Sequence, residues 1–486
     1  MSSRRLFQYF ILLPIFSGVF LALTLPAFNL SFFLWIFLVP LLFFAGDKNR
    51  KKRWVFVGGF IAGLIYFFAV ASPLASLNAW WWFDGNGAFN GSKEAISLIF
   101  VLLLSMSASI FYGLFALLYQ KFRKYNLFDV LIFPFIWVVL EYIRAKILLG
   151  FTWGHIGYAL HDSTWLLQLA KFFGVYGLGF FIITVNILIY LLIRKSCKGR
   201  SFADAFWKNV YLYLLIFLFI VVSFYGFWAI KSGEKDLLIE SEMKVAVIQG
   251  GLKTKDEKTE GFYKKFIADA LKQNPDIVVL PENTLWFLTI NRKTKLPLKY
   301  EISDQIKKAY DEILQISKEN KDVSFVIGFH TTQNNKEYNS MIVFENGEIK
   351  SMYDKRVLMP FSETGIFSSA ATTPAGIFLN EGADKQSVLV KGVAVTPLIC
   401  AEIIFPSLAK DKNSQFIINI GNDSVFDSPL VAKQNHIIAK IRAVESGKFI
   451  VRSMKTGISS IINPFGRVTA QLDTGESGTV FDVVRY

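Results

Sequence analysis

The sequence predicts a two-part chain: an α-helical transmembrane bundle over residues 1–235 and an α/β domain over residues 240–486. Three observations carry this. Apolar runs of spanning length crowd the first 230 residues, lysine and arginine collect in alternate connections between them, and from Met243 short β-rich runs alternate with polar-faced helical stretches. Composition agrees, since 53% hydrophobic residues and a mean hydropathy of +0.40 exceed what a soluble chain of 486 residues carries.

A spanning helix needs roughly 20 mostly apolar residues. Seven runs are candidates, near residues 9–28, 31–46, 55–74, 95–119, 127–149, 165–194 and 208–230. Residues 1–5 ahead of an apolar run resemble a signal peptide, but no small-residue cleavage site precedes a soluble stretch, so a retained first helix is expected. Arg4 and Arg5; Lys48, Arg50, Lys51, Lys52 and Arg53; Lys121, Arg123 and Lys124; and Arg194, Lys195, Lys198 and Arg200 occupy every alternate connection. Retention of positive charge makes those ends cytoplasmic and, through an odd number of spans, puts everything after about residue 231 outside the cytoplasm. Trp80, Trp81 and Trp82 read as an interfacial aromatic belt. Glu141, Arg144 and Lys146, near the outer end of the fifth span, read either as an internal ion pair or as functional groups.

The formal charge of +14 sits largely in these membrane-flanking clusters, which favours anionic lipid over nucleic acid as partner. Two cysteines, Cys197 and Cys400, outside any CxxC or Cys/His pattern, indicate neither a disulfide framework nor a zinc site. No GxxxxGK[ST] or GxGxxG occurs, so no nucleotide cofactor is expected.

Strands are expected at residues 244–249, 276–280, 324–329, 341–344, 393–399 and 416–420, and helices at 256–273, 303–320 and 429–447. Asn346-Gly347 marks a hairpin, residues 464–466 a second turn, and residues 478–486 read as a strand. Three reactive side chains stand where expected strands end: Glu282, Lys355 and Cys400. A cysteine attacks as thiolate, and at its ordinary pKa of about 8.5 little is ionised at neutral pH. Glu282 can accept the thiol proton, while Lys355 can offset charge on the thiolate and then on the oxyanion, a set sufficient for acyl transfer.

Glu282, Lys355 and Cys400, in this order and these strand contexts, resemble the nitrilase superfamily and, more closely, its membrane branch, the apolipoprotein N-acyltransferase family. The resemblance covers nearly the whole chain. Residues 353–363, Tyr-Asp-Lys-Arg-Val-Leu-Met-Pro-Phe-Ser-Glu, look like that family's loop with a second glutamate eight positions after the lysine. Residues 140–144 and 150–153 match in the bundle, and 434–436, 442–445 and 456–457 in the C-terminal domain. The resemblance implies a nitrilase-like sandwich with Cys400 as nucleophile, Glu282 as base, Lys355 as oxyanion stabiliser and Glu363 and Glu402 in support, with His436 and Arg442 structural. It further implies a phospholipid acyl donor, a diacylated apolipoprotein acceptor, a bacterial inner membrane location and no cofactor. Ala401 departs from the family's usual aromatic after the nucleophile, and residues 478–486 read as a strand where better-known members carry a further membrane helix. A membrane-tethered amidase, resolving the acyl-enzyme with water, and a non-catalytic lipoprotein-binding protein are the alternatives.

Overall fold

The computed structural model describes residues 3–76, 93–148, 152–197, 202–251, 261–285, 288–297, 304–359, 363, 379–383, 387–426 and 428–486. Trp80, Trp81 and Trp82 lie outside them. The chain divides into two compact units, one of Met1–Ser76 with Ser92–Lys231 and the other chiefly Ser232–Tyr486.

The first unit is helical: α1 (Ser3–Ala22), α2 (Leu38–Ala45), α3 (Lys52–Ala71), α4 (Lys93–Phe122), α5 (Leu127–Ile147), α6 (Thr164–Leu167), α7 (Ala170–Ser196), α8 (Phe202–Trp207) and α9 (Val210–Leu237). Among the described residues, four helical segments are long and apolar enough to cross a membrane: Lys52–Ser76, Ser97–Phe122, Ala170–Ser196 and Val210–Leu237. The first run forms a 20-residue helix set closer to the N-terminus than its hydropathy suggests, and the second is shorter as a helix. α1 stops at Ala22, four residues before Pro26, and residues 31–46 split into a 3-10 turn (Ser31–Trp35) and α2. Pro40 would lack an amide and clash inside a helix begun at Ser31, but it is tolerated in the first turn of one begun at Leu38. Asn186 of α7 fills the break, donating to the Leu34 carbonyl (3.0 Å) and accepting from the Leu38 amide (3.0 Å). α5 has the length of a span but carries Asp129, Glu141, Arg144 and Lys146.

Helices α3 and α4 pack backbone to backbone. A Cβ on Gly59 would stand 2.5 Å from the Tyr112 carbonyl oxygen, so only glycine allows this approach. The ionisable groups of α5 separate by burial. Glu141 and Arg144 are buried, Lys146 is exposed, and Glu141 accepts from the Ile156 amide (3.1 Å) while Arg144 donates to the Trp153 carbonyl (3.1 Å). His155 lies against both side chains, at 3.5 Å from Glu141 and 3.3 Å from Arg144. An internal ionic cluster thus ties residues 153–156 to α5.

The second unit has two sheets. The first runs β13-β1-β2-β4-β5-β6, with β3 pairing β4; the second runs β12-β11-β10-β9-β8-β7. Their strands are β1 (Glu242–Gln249), β2 (Ile277–Val279), β3 (Thr289–Asn291), β4 (Ser324–Gln333), β5 (Lys336–Glu345), β6 (Glu348–Asp354), β7 (Val388–Val390), β8 (Val393–Ile399), β9 (Phe416–Gly421), β10 (Ile450–Met454), β11 (Ser459–Ile462), β12 (Val468–Leu472) and β13 (Gly478–Arg485). Val245, Val279, Val343, Ile418 and Val451 belong to the core shared by the two sheets. Outside them, α10 (Phe262–Leu271) and α11 (Asp304–Glu319) cover the first sheet through Tyr263, Ile267 and Ile313, and α12 (Pro429–Ser446) covers the second through Ala439 and Ala443. The result is a helix-sheet-sheet-helix sandwich in which each buried branched side chain contributes about 1.5–3 kcal/mol.

Asn346 (φ 54°) and Gly347 (φ 71°) turn β5 into β6 as expected. Strand β13 pairs along the full length of β1, so the last residues complete the first sheet. The division between units falls inside α9, because Leu237 packs on the inter-sheet core and Glu234 pairs with Arg467.

Candidate active site

Each reactive residue stands at a strand end because a buried strand must stop where its chain turns out of the sheet. Glu282 follows β2 in a turn closed by Thr284, whose amide donates to the Gly328 carbonyl (3.0 Å) and whose hydroxyl donates to the Pro281 carbonyl (2.7 Å). Lys355 follows β6, its amide bonded to the Asn339 carbonyl (2.8 Å). Cys400 follows β8 with φ 52°, a left-handed conformation that a non-glycine residue adopts only where its surroundings impose it.

The structure brings Glu282, Lys355 and Glu363 together. Lys355, 1% exposed, places Nζ 2.7 Å from Glu363 Oε2 and 3.9 Å from Glu282 Oε1. Asn339 spans the two carboxylates, donating at 2.6 Å to Glu282 and 3.1 Å to Glu363. Nothing at sequence level singled out Asn339. It sits inside a strand, and only the pairing of β5 with β4 and β6 aims its amide at both acids.

Glu402 does different work from Glu363. It is fully buried and accepts from the Tyr353 hydroxyl (2.9 Å) and from the amides of Ile399 (2.8 Å), Arg356 (2.8 Å) and Val357 (3.2 Å). One carboxylate thus locks the Lys355 loop to the Cys400 turn.

A second set, of which Asn419, Arg452 and Lys455 were unforeseen, holds the Cys400 and Glu282 turns from behind. Asn419 of β9 donates to the Leu398 carbonyl (3.1 Å) and the Cys400 carbonyl (3.5 Å), and its own oxygen accepts from buried Arg452. Arg442 donates to the carbonyls of Ile403 (3.2 Å) and Ile404 (3.3 Å) and pairs with Glu445, while His436 contacts the Ser460 hydroxyl. Lys455 donates to the Asn283 carbonyl (2.8 Å), pinning the residue after Glu282. A Cβ on Gly328 would fall 2.6 Å from the Glu282 Cα, so this glycine permits the close approach of β4 to the Glu282 turn.

Burial and neighbouring charge act against each other at these groups. It pushes the half-buried Cys400 thiol well up, and Glu282 adds to this while Lys355 opposes it. Burial also raises Glu282 above the ordinary carboxylate range, against the pull of Lys355. For Lys355, burial is outweighed by Glu363, Cys400 and Glu282, which hold the ammonium charged; for Glu363, burial is outweighed by Lys355. The arrangement can keep a neutral thiol beside a base and a permanent cation, the requirements for a nucleophile that sheds its proton only as it attacks. Among the described residues no cluster of His, Cys, Asp and Glu could hold a metal ion.

Comparison with known proteins identifies the family of the chain. The family model described as apolipoprotein N-acyltransferase N-terminal domain matches residues 17–188, and the one described as carbon-nitrogen hydrolase matches residues 244–484. Proteins named apolipoprotein N-acyltransferase align with almost the whole chain. That of Pasteurella multocida is 27% identical over 96% of this chain and 88% of its own length, and that of Geobacter metallireducens is 28% identical over 94% and 86%. A solved structure, Saccharomyces cerevisiae Nit3 of the nitrilase superfamily, covers 50% of this chain and 90% of its own, at 17% identity and a TM-score of 0.38. With a helical domain of the first kind joined to a carbon-nitrogen hydrolase domain of the second, the chain belongs to the apolipoprotein N-acyltransferase family, the membrane branch of the carbon-nitrogen hydrolases.

Proposed function

We propose that this enzyme transfers a fatty acyl chain from a membrane phospholipid, through a thioester on Cys400, to the α-amine of the N-terminal diacylglyceryl-cysteine of a lipoprotein. The observation that carries the reading is the buried Lys355 ammonium set between Glu282 and Glu363 beside the constrained Cys400 turn. As Sγ bonds to the ester carbonyl, Glu282 takes the thiol proton and Lys355 offsets the oxyanion. The ester C–O bond then breaks, and the lysophospholipid leaves with the proton from Glu282. In the second half Glu282 deprotonates the incoming amine, the amide bond forms, the C–S bond breaks and the thiol is regenerated. This is ping-pong chemistry.

A lipid donor also explains the union of a hydrolase-like sandwich with apolar helices. Moving an acyl chain into water costs about 0.8 kcal/mol per CH₂, so both substrates stay in the membrane. The reading takes the helical unit as a seven-span bundle in a bacterial inner membrane with the catalytic domain on the extracytoplasmic side, supported by the alternation of basic clusters.

The test is to incubate purified protein with phospholipid and follow its intact mass. An acyl adduct on Cys400 that a diacylated lipopeptide removes, with N-acylated peptide as product, is expected. Release of free fatty acid in place of N-acylated peptide would favour the amidase, and an unreactive Cys400 the non-catalytic binder.

A further inference from the structure

The helical unit carries a cleft of about 320 Å³ at the basic end of α3, far in sequence from every residue of the catalytic cluster. Its walls divide by polarity. Ile11, Phe44 and Trp54 form an apolar side, and Asp47, Arg50 and Lys51 a charged one. The charged turn is preformed: Gln120 of α4 donates to the carbonyls of Asp47 (3.2 Å) and Arg50 (2.9 Å), Asp47 pairs with Arg50 at 3.5 Å, and the guanidinium lies over the Phe44 ring at 3.9 Å. α3 starts here without a side-chain cap, so the positive end of a 20-residue helix dipole joins the two cations.

We propose that this cleft binds the headgroup of one anionic phospholipid of the phosphatidylglycerol type. The phosphodiester sits on Lys51, Arg50 and the first amides of α3, the glycerol hydroxyls donate to Asp47, and an acyl chain runs along Ile11 and Trp54. Charge selects the class. Two cations and one carboxylate leave the lining at a single positive charge, which one phosphodiester neutralises, whereas a zwitterionic headgroup leaves it unbalanced. A basic pocket between apolar helices is where such lipids are held.

The test uses full-length protein in detergent, titrated with phosphatidylglycerol, phosphatidylethanolamine or inorganic phosphate, with bound lipid counted by native mass spectrometry. Phosphatidylglycerol is expected to bind in preference to phosphatidylethanolamine, without competition from phosphate. Lys51→Gln should weaken it about fivefold, the worth of one cation near the headgroups. Lys51 is exposed, so this variant keeps its packing. Lys48→Gln, the same charge change outside the lining, should leave affinity unaltered. Equal binding of the two lipids, an equal effect of both variants or displacement by phosphate alone would each overturn the proposal.

Discussion

Replacing Lys355 with methionine tests the reaction at the point where structure and chemistry are most tightly joined. The change keeps a linear, apolar stem of similar length and deletes the charge. At an effective dielectric of about 20, a unit charge at the 3.9 Å separating Nζ from Glu282 is worth about 4 kcal/mol, and the nearer Glu363 interacts more strongly still. Without the cation, two buried carboxylates face each other across one Asn339 amide, and the shared site takes up a proton. The acyl-forming step then lacks both the oxyanion's partner and a base held ionised, so acylation of Cys400 should fall at least about 100-fold, the scale of a lost oxyanion donor. Breaking a buried pair also destabilises the fold, by about 3–5 kcal/mol. Lys355→Met combined with Glu363→Gln separates the two effects, since it removes the repulsion between the two carboxylates and should recover part of the thermal stability without recovering acylation. The assay is rapid-quench intact mass spectrometry of the acyl-enzyme under single-turnover conditions. A Lys355→Met enzyme that acylates Cys400 at the wild-type rate would refute the reasoning.

Asn339→Leu removes a donor that lowers Glu282, whose carboxyl burial already raises, so the acid limb of the acylation rate should move to higher pH. An unshifted pH profile would remove Asn339 from the base's environment. Gly328→Ala should cost turnover more than stability, because the added methyl meets the backbone at Glu282; the measurement is kcat against Tm, and wild-type kcat would contradict it. Cys400→Ala should abolish the acyl adduct while Cys197→Ala leaves it, and an adduct carried by Cys197 would overturn the site. A tag after Tyr486 should be reached by protease only from outside the cytoplasm, and digestion only from the inner side would mean that a span has been miscounted.

What the amino-acid order determined by itself was local or periodic. The change from long apolar runs to short alternating ones separates the two units, Asn346-Gly347 marks its hairpin, and each of Glu282, Lys355 and Cys400 is flanked by a strand pattern that ends at it. Hydropathy did not reveal that residues 31–46 break into two pieces, because it counts apolar surface and is blind to the missing amide of Pro40; Asn186, 146 positions further on, makes that break tolerable. Equally hidden were Asn339, Asn419 and Arg452. Their types are ordinary and their positions lie inside strands, so their role depends on which strands are neighbours and in what register, as when Arg452 falls opposite Asn419 across β9 and β10. Glu363 and Glu402 were visible as acids near the reactive residues, but not their division of labour. One holds the lysine's charge and the other is spent on three backbone amides and a phenol. Which acid titrates and which only ties loops together follows from solvent exclusion and hydrogen-bond partners, and both exist only after the two sheets have closed on each other.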